Sequence, residues 1–245
     1  MLLHGWLGDS ATWDRQVPAL RRRRRTVAVD LRGHGRSPTP DTAYTPDELA
    51  GDVERLLTGL RLAPAVLFGH SYGGSLATIL AVRRPDLVRA LVLVDPDYAG
   101  DPRARPPDDW LDALASPAGT ALAQTALATL EGPHTPPALR DRHRMEAARV
   151  PAFVRARMLR AHMAAAGGIR FRPGSDAWLA RRRQPVLAFH RDPERAAVEQ
   201  HLRQHPATRV IHVSGTGHWL HQERPDLVSR ELERWFAHLS RPHRI

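Results

Sequence analysis

Residues 69–73 read Gly-His-Ser-Tyr-Gly, straight after the apolar run Val66-Leu67-Phe68 and straight before a helical stretch from Ser75 to Val82. Few features constrain a fold more. The positions two before and two after a serine nearly touch when a strand turns abruptly into a helix, and glycine fits there because it has no Cβ. The turn lifts the Ser71 hydroxyl above the strand ends, within reach of a substrate and a base. A strand that feeds directly into a helix is one unit of a parallel sheet covered by helices.

The other strands agree. Leu2-Leu3-His4-Gly5-Trp6 is an apolar strand ending in His-Gly. Thr26 to Asp30, Ala65 to Phe68, Ala90 to Val94, Val186 to Phe189 and Val210 to Val213 are short apolar runs alternating with helical segments. Runs without polar alternation predict parallel strands buried on both faces, so the expected fold is α/β, with a mostly parallel sheet of about six strands. A helix is expected over Asp14 to Leu20. Another is expected from Thr45-Pro46-Asp47-Glu48, which carries a threonine cap, a proline at the first position and a glutamate at the third. Leu49, Val53, Leu56, Leu57 and Leu60 then recur at helical spacing.

Ligands of such sheets bind beyond the carboxyl ends of the strands. Ser71, Asp95 and His218 all fall there. Acyl transfer needs a nucleophile, a base and N–H donors for the developing oxyanion, and the chain supplies them in the order His4-Gly5-Trp6, Ser71, His218. Here the sequence resembles the α/β-hydrolase fold family over nearly its whole length. The resemblance includes Asp30-Leu31-Arg32-Gly33-His34-Gly35-Arg36-Ser37, and Gly217-His218-Trp219-Leu220-His221-Gln222-Glu223-Arg224-Pro225 for the histidine loop. It implies a core formed by residues 1–96 and 184–245, with residues 97–183 inserted as a helical cap. That stretch is rich in proline and alanine and holds Trp110, Phe153, Met158, Met163, Phe171 and Trp178; some of these are expected to face the substrate pocket. Members of the family carry two strands before the one ending at His4-Gly5. Without them Thr26 to Leu31 lies at a sheet edge, and a mis-assigned start site or a partner covering the edge is expected.

The same resemblance assigns roles. Ser71 is the nucleophile, His218 the base, and the backbone N–H groups of Trp6 and Tyr72 form the oxyanion hole. The acid partner of His218 is open between Asp95, Glu194 and Asp192. Glu194 has the usual offset after its strand, but Arg191 stands where a glycine is expected, and Asp192 is placed to cap the following helix. Asp95, at the end of the preceding strand, occupies a position used by a subset of the family, and it is the preferred candidate. His4 is expected to order its loop, and His70 and His221 to lie behind the site or at the surface. His201 and His205 have helical spacing but no third ligand, so no metal is expected.

The chain has 245 residues, enough for a single core with an insertion. It has no cysteine, so neither disulfides nor thiolate chemistry enter. No apolar run approaches the roughly 20 residues that span a bilayer, no signal peptide follows Met1, and a cytoplasmic protein is the default. The net charge is +10, carried entirely by arginines. They are scattered except for Arg21 to Arg25 and Arg181 to Arg183, both expected on solvated helix ends. No aromatic residues interleave with them to stack bases, which speaks against nucleic acid.

The expected function is hydrolysis of a small carboxylic ester, lactone or thioester through an acyl-enzyme on Ser71, with a small-molecule substrate and no cofactor. A serine at this position argues against haloalkane dehalogenase and epoxide hydrolase chemistry, which needs a carboxylate there. One alternative is the cofactor-free ring-cleaving dioxygenases, which the chain resembles in Gly5-Trp6, Asp95 and Gln204-His205-Pro206; there His218 deprotonates the substrate and Ser71 only orients it. Another is a non-catalytic ligand receptor on the same fold. Acyl group, alcohol and oligomeric state are not legible.

Overall fold

Six strands, all parallel, lie side by side in the order β2-β1-β3-β4-β5-β6 among the described residues of the computed structural model, which are 1–164 and 167–239. Residues 165–166 of the expected insertion and 240–245 of the expected core lie outside them. The strands are β1 (Leu2–Leu3), β2 (Ala28–Val29), β3 (Ala65–His70), β4 (Val88–Val94), β5 (Val186–His190) and β6 (Arg209–His212). The chain steps outward from β1 to β2, returns past β1 to β3, and then runs the other way to β6. The reversal falls between β1 and β3, and that crevice is where parallel sheets bind ligands.

Side-chain alternation divides the core into two layers. Leu3, Leu67, Leu91, Leu93 and Ala188 point to one face, against helices α2 (Pro46–Gly59) and α3 (Tyr72–Arg83). Leu2, Phe68, Val92, Val94, Leu187 and Phe189 point to the other, against α1 (Val17–Arg21) and α11 (Pro225–Leu239). Helix α3 is buried on all sides from Tyr72 to Ala81, which explains why its sequence is apolar without a polar stripe. Helix α11 turns Val228, Leu232, Trp235 and Phe236 inward, and the Trp235 indole donates to the Ala207 carbonyl at 2.8 Å.

Between β4 and β5 the alternation gives way to five helices among the described residues. They are α4 (Asp108–Ala113), α5 (Gly119–Ala128), α6 (Pro137–Arg149), α7 (Ala152–Ala164) and α8 (Gly174–Arg181). Helices α9 (Pro193–His201) and α10 (Leu220–Glu223) complete the set. Within the insertion Met158 is buried, while Trp110, Phe153, Met163 and Trp178 are partly buried against the main core. No helix of the described residues is long and apolar enough to cross a membrane.

Helix α2 starts as its sequence predicts. The Thr45 hydroxyl accepts the Glu48 N–H at 3.2 Å and the Glu48 carboxylate accepts the Thr45 N–H at 3.2 Å. Leu49, Val53 and Leu57 are buried, but Leu60 lies just past the helix end and is 39% exposed. Three other expectations need correction. Of the helix expected over Asp14 to Leu20 only the short α1 forms, after a turn at residues 14–16 and a preceding 3-10 turn at Ser10–Trp13; Pro18 fits only in a first turn because it has no N–H to donate. The strand expected to be buried from Thr26 to Asp30 forms a regular strand only at Ala28–Val29 and is half-buried, because it is the sheet's edge. Arg182 is not on a solvated helix end. It is buried against Glu199, and its guanidinium also reaches the Tyr98 hydroxyl at 3.3 Å. Burial alone would push the Glu199 carboxyl up, but the adjacent Arg182 holds it down to about 2.

Candidate active site

Ser71 sits between β3 and α3 with φ 51° and ψ −121°. That sparsely populated backbone region costs a residue with a Cβ roughly 1–3 kcal/mol, so the surroundings must hold it. They do so through the Ser71 N–H, which donates to the Val94 carbonyl at 3.0 Å, and the Ser71 carbonyl, which accepts the Gly74 and Asp97 N–H groups at 2.8 and 3.0 Å. Both glycines are required by contact. A Cβ on Gly69 would come within 2.5 Å of the Gly73 carbonyl oxygen, and one on Gly73 within 2.5 Å of the Leu3 carbonyl oxygen. The turn is thus wedged against β1.

The end of β1 delivers the next part. A Cβ on Gly5 would lie 2.9 Å from Ser71 Cβ, so the Gly5-Trp6 loop packs directly on the serine. His4 shapes this loop as expected. The Leu31 N–H donates to His4 Nε2 at 2.9 Å, which leaves Nδ1–H to donate to the Gly5 carbonyl at 2.8 Å. Burial lowers the His4 pKa to about 4, so the ring is neutral and this tautomer is fixed. The Trp6 indole donates to the Arg155 carbonyl of α7 at 3.1 Å. Tyr72 is the first residue of α3, where the helix has no carbonyl one turn back to take its N–H.

Of the three acids considered, Asp95 is the one beside His218. His218 Nδ1–H donates to Asp95 Oδ2 at 2.5 Å, which leaves Nε2 as the basic nitrogen. Asp95 follows β4 with φ 40°, and its own N–H donates to the Phe189 carbonyl at 2.7 Å. Burial would push its carboxyl up, but the hydrogen bond and charge of His218, with Arg191 behind, hold it below the usual range. Glu194 is exposed in the first turn of α9. Asp192 caps that helix, accepting the Glu194 and Arg195 N–H groups at 2.8 and 3.3 Å. Asp95 in turn accepts from Arg191 twice, from its N–H at 3.2 Å and from Nε at 3.1 Å. In the sequence Arg191 stands out only as a departure from glycine. Its value depends on β4 and β5 being neighbours, which no local pattern announces.

Three buried imidazoles back the site. His70 Nε2 hydrogen bonds to the His218 carbonyl at 3.1 Å, and its ring lies 4.7 Å from the rings of both His218 and His221. His221 is fully buried, not at the surface. Burial and the proximity of the other histidines lower His70 well below the ordinary histidine value and His221 to about 3. The third, His143 of α6, stacks on Trp219 with centroids 3.8 Å apart and contacts Gln222 Oε1 at 2.9 Å. No motif marks His143 in the sequence. Two further histidines turn out differently from their spacing: α9 ends at His201, so His205 does not share its helical face. Among the described residues no group of three or more metal-binding side chains is assembled.

The histidine loop is braced by the insertion. The His218 N–H donates to the Leu130 carbonyl at 2.8 Å. Glu223 accepts the Gly217 N–H at 3.0 Å and the Thr135 hydroxyl at 2.6 Å. Arg140 donates to the Gly132 and Thr135 carbonyls at 3.1 and 3.0 Å.

This arrangement can be set beside known proteins. The family profile described as the alpha/beta hydrolase fold matches residues 1–225. The chain is 43% identical over 98 residues to the sn-1-specific diacylglycerol lipase ABHD11 of Mus musculus, an alignment covering 39% of this chain and 31% of that protein. It is 38% identical over 95 residues to the 2-(acetamidomethylene)succinate hydrolase of Mesorhizobium japonicum, covering 39% of this chain and 34% of that one. The matches therefore span about a third of these relatives' lengths. A thermophilic esterase from Thermogutta terrifontis superposes with a TM-score of 0.83 at 22% identity, over 98% of this chain and 89% of that one. With the profile spanning almost the whole sequence and the switch-point crevice carrying the strained serine, the chain belongs to the α/β-hydrolase fold family.

Proposed function

We propose that the chain is a serine hydrolase that cleaves small carboxylic esters, lactones or thioesters. The observation that carries the reading is the 2.5 Å Asp95–His218 hydrogen bond, which fixes the basic nitrogen as Nε2 on the same strand-end rim as Ser71. In this reading His218 Nε2 takes the Ser71 hydroxyl proton as Oγ attacks the acyl carbon. The Trp6 and Tyr72 N–H groups stabilise the oxyanion. The imidazolium returns its proton to the leaving alkoxide or thiolate, leaving an acyl-Ser71 ester. Water, deprotonated by the same nitrogen, then releases the acid and restores Ser71. No metal or cofactor enters these steps. Residues 97–183 act as the cap over Ser71.

The test is intact-protein mass after treatment with a fluorophosphonate, with Ser71→Ala and His218→Ala as controls. The expected result is a single adduct, lost in both variants, followed by turnover in an ester and lactone screen. A folded protein that takes no adduct removes Ser71 as nucleophile and directs attention to oxygen uptake with His218 acting alone as base.

A further inference from the structure

Arg191 makes contacts that only an arginine can make together. It follows β5 directly, as Asp95 follows β4, and these strands pair with Phe189 beside Val94. Its backbone is fixed: the N–H donates to Asp95 Oδ1 at 3.2 Å, and His212 Nε2 hydrogen bonds to its carbonyl at 3.2 Å. Its guanidinium divides between two parts of the molecule. Nε donates to Asp95 Oδ2 at 3.1 Å, the same oxygen that accepts His218 Nδ1–H. Nη1 reaches the Leu130 carbonyl at 3.4 Å, the same oxygen that accepts the His218 backbone N–H. A single side chain thus touches both acceptors that hold His218, one for its ring and one for its backbone.

We propose that Arg191 is a positioning residue that fixes the Asp95 carboxylate and, through the shared Leu130 carbonyl, sets the His218 loop against the helical insertion. The proposal rests on the reading of His218 as base. A lysine could supply the charge but not two divergent donors at fixed spacing. His70 and His221, which face the Asp95–His218 pair, are neutral in the fold, and beside His218 itself Arg191 is the cation that acts on the Asp95 carboxylate. The Arg191 side chain keeps 31% of its surface exposed, so its removal is expected to leave the fold intact.

The experiment compares Arg191→Gln, Arg191→Ala and Arg191→Lys with wild type, each checked for folding by circular dichroism and thermal melting. Two quantities are measured. One is the pH titration of the His218 ring by NMR of isotope-labelled imidazole, which needs no turnover. The other is the rate of fluorophosphonate labelling. Loss of the cation is expected to move the titration of the pair upward in the Gln and Ala variants, since the anion loses its stabilising charge. Labelling is expected to slow about tenfold, the scale of one charge-assisted hydrogen bond. Lysine should restore the titration better than the labelling rate, and guanidinium ion in solution should recover part of the rate of Arg191→Ala. Unchanged titration and labelling in folded Gln and Ala variants overturns the proposal. So does slower labelling with an unmoved titration, which is the mark of a purely structural role. A shifted titration in a protein that takes no label even as wild type supports Arg191 as the positioning residue while rejecting Ser71 as nucleophile.

Discussion

Gly132 and Gly217 meet backbone to backbone: a Cβ on Gly132 would come within 2.4 Å of the Gly217 nitrogen, and one on Gly217 within 2.3 Å of the Gly132 nitrogen. At this point the insertion and the histidine loop therefore touch main chain to main chain. Gly132→Ala and Gly217→Ala are expected to push the two apart. The cost should be about 1–3 kcal/mol, typical of overpacking, or a melting temperature lower by about 2–4 °C per kcal/mol for a chain of this size. Fluorophosphonate labelling should slow in both. A melting temperature equal to wild type in both variants would show that the contact yields freely.

Gly51 offers the opposite case. It lies inside α2, where a Cβ would meet only Arg55 Nη1 at 3.5 Å. Gly51→Ala is expected to stabilise the protein by about 0.5–1 kcal/mol through the lower entropy of the unfolded chain, read as a higher melting temperature with unchanged labelling.

Asp95→Asn keeps the shape of the acid but can donate to His218 Nδ1, favouring the wrong tautomer. A loss of roughly 10³–10⁴ in kcat is expected, with Glu194→Gln close to wild type because Glu194 is exposed at the start of α9. Steady-state ester hydrolysis decides it. Full activity in Asp95→Asn beside a loss in Glu194→Gln would move the acid to the other strand end.

Glu146 of α6 is buried beside Trp6, His70 and Trp219, with Arg142 Nε donating to it at 2.7 Å. Burial raises its carboxyl to about 7. In the unfolded chain the carboxyl titrates near the ordinary 4.5. The folded state therefore holds the proton more tightly between these values, and the stability from this group is present below about pH 4.5 and lost as pH rises through 7. Glu146→Gln should abolish that loss, worth roughly 3 kcal/mol. Melting curves of wild type and variant across pH should diverge as pH rises through this window; parallel curves would refute it.

His34 and His221 act in the other direction. Burial lowers both to about 3 from 6.5. Their contribution is present above pH 6.5 and is lost as pH falls toward 3. Chemical denaturation at pH 7 and pH 5 should show wild type weaker at pH 5. His221→Gln is expected to be less stable at pH 7 but to lose less between the two.

How far the sequence speaks depends on how local each constraint is. The elbow was legible because Gly69 and Gly73 satisfy a contact within five residues, and the Thr45–Glu48 cap because it closes within one turn. The central strands were legible because burial on both faces leaves them uniformly apolar. At the edge, β2 lost both length and burial, since only one neighbour pairs with it. The choice among Asp95, Glu194 and Asp192 could be ranked but not decided, because it depends on which strand end lies beside the histidine loop. The burial of Arg182 is hidden in the sequence for a related reason: Glu199, its partner, sits on a different helix across β5. Helix α6 carries a buried histidine and a buried glutamate on a largely charged segment, and its sequence gives little sign of either.

The Leu130 carbonyl has an evolutionary consequence. Insertions between the strands of a sheet can ordinarily drift or be exchanged without touching the machinery beneath, because they meet it only through side chains that can be repacked. Here one main-chain oxygen of the insertion receives the His218 N–H directly. A replacement insertion would have to bring a main-chain carbonyl to the same point to keep the His218 loop where it is, so the insertion and that loop are bound to change together.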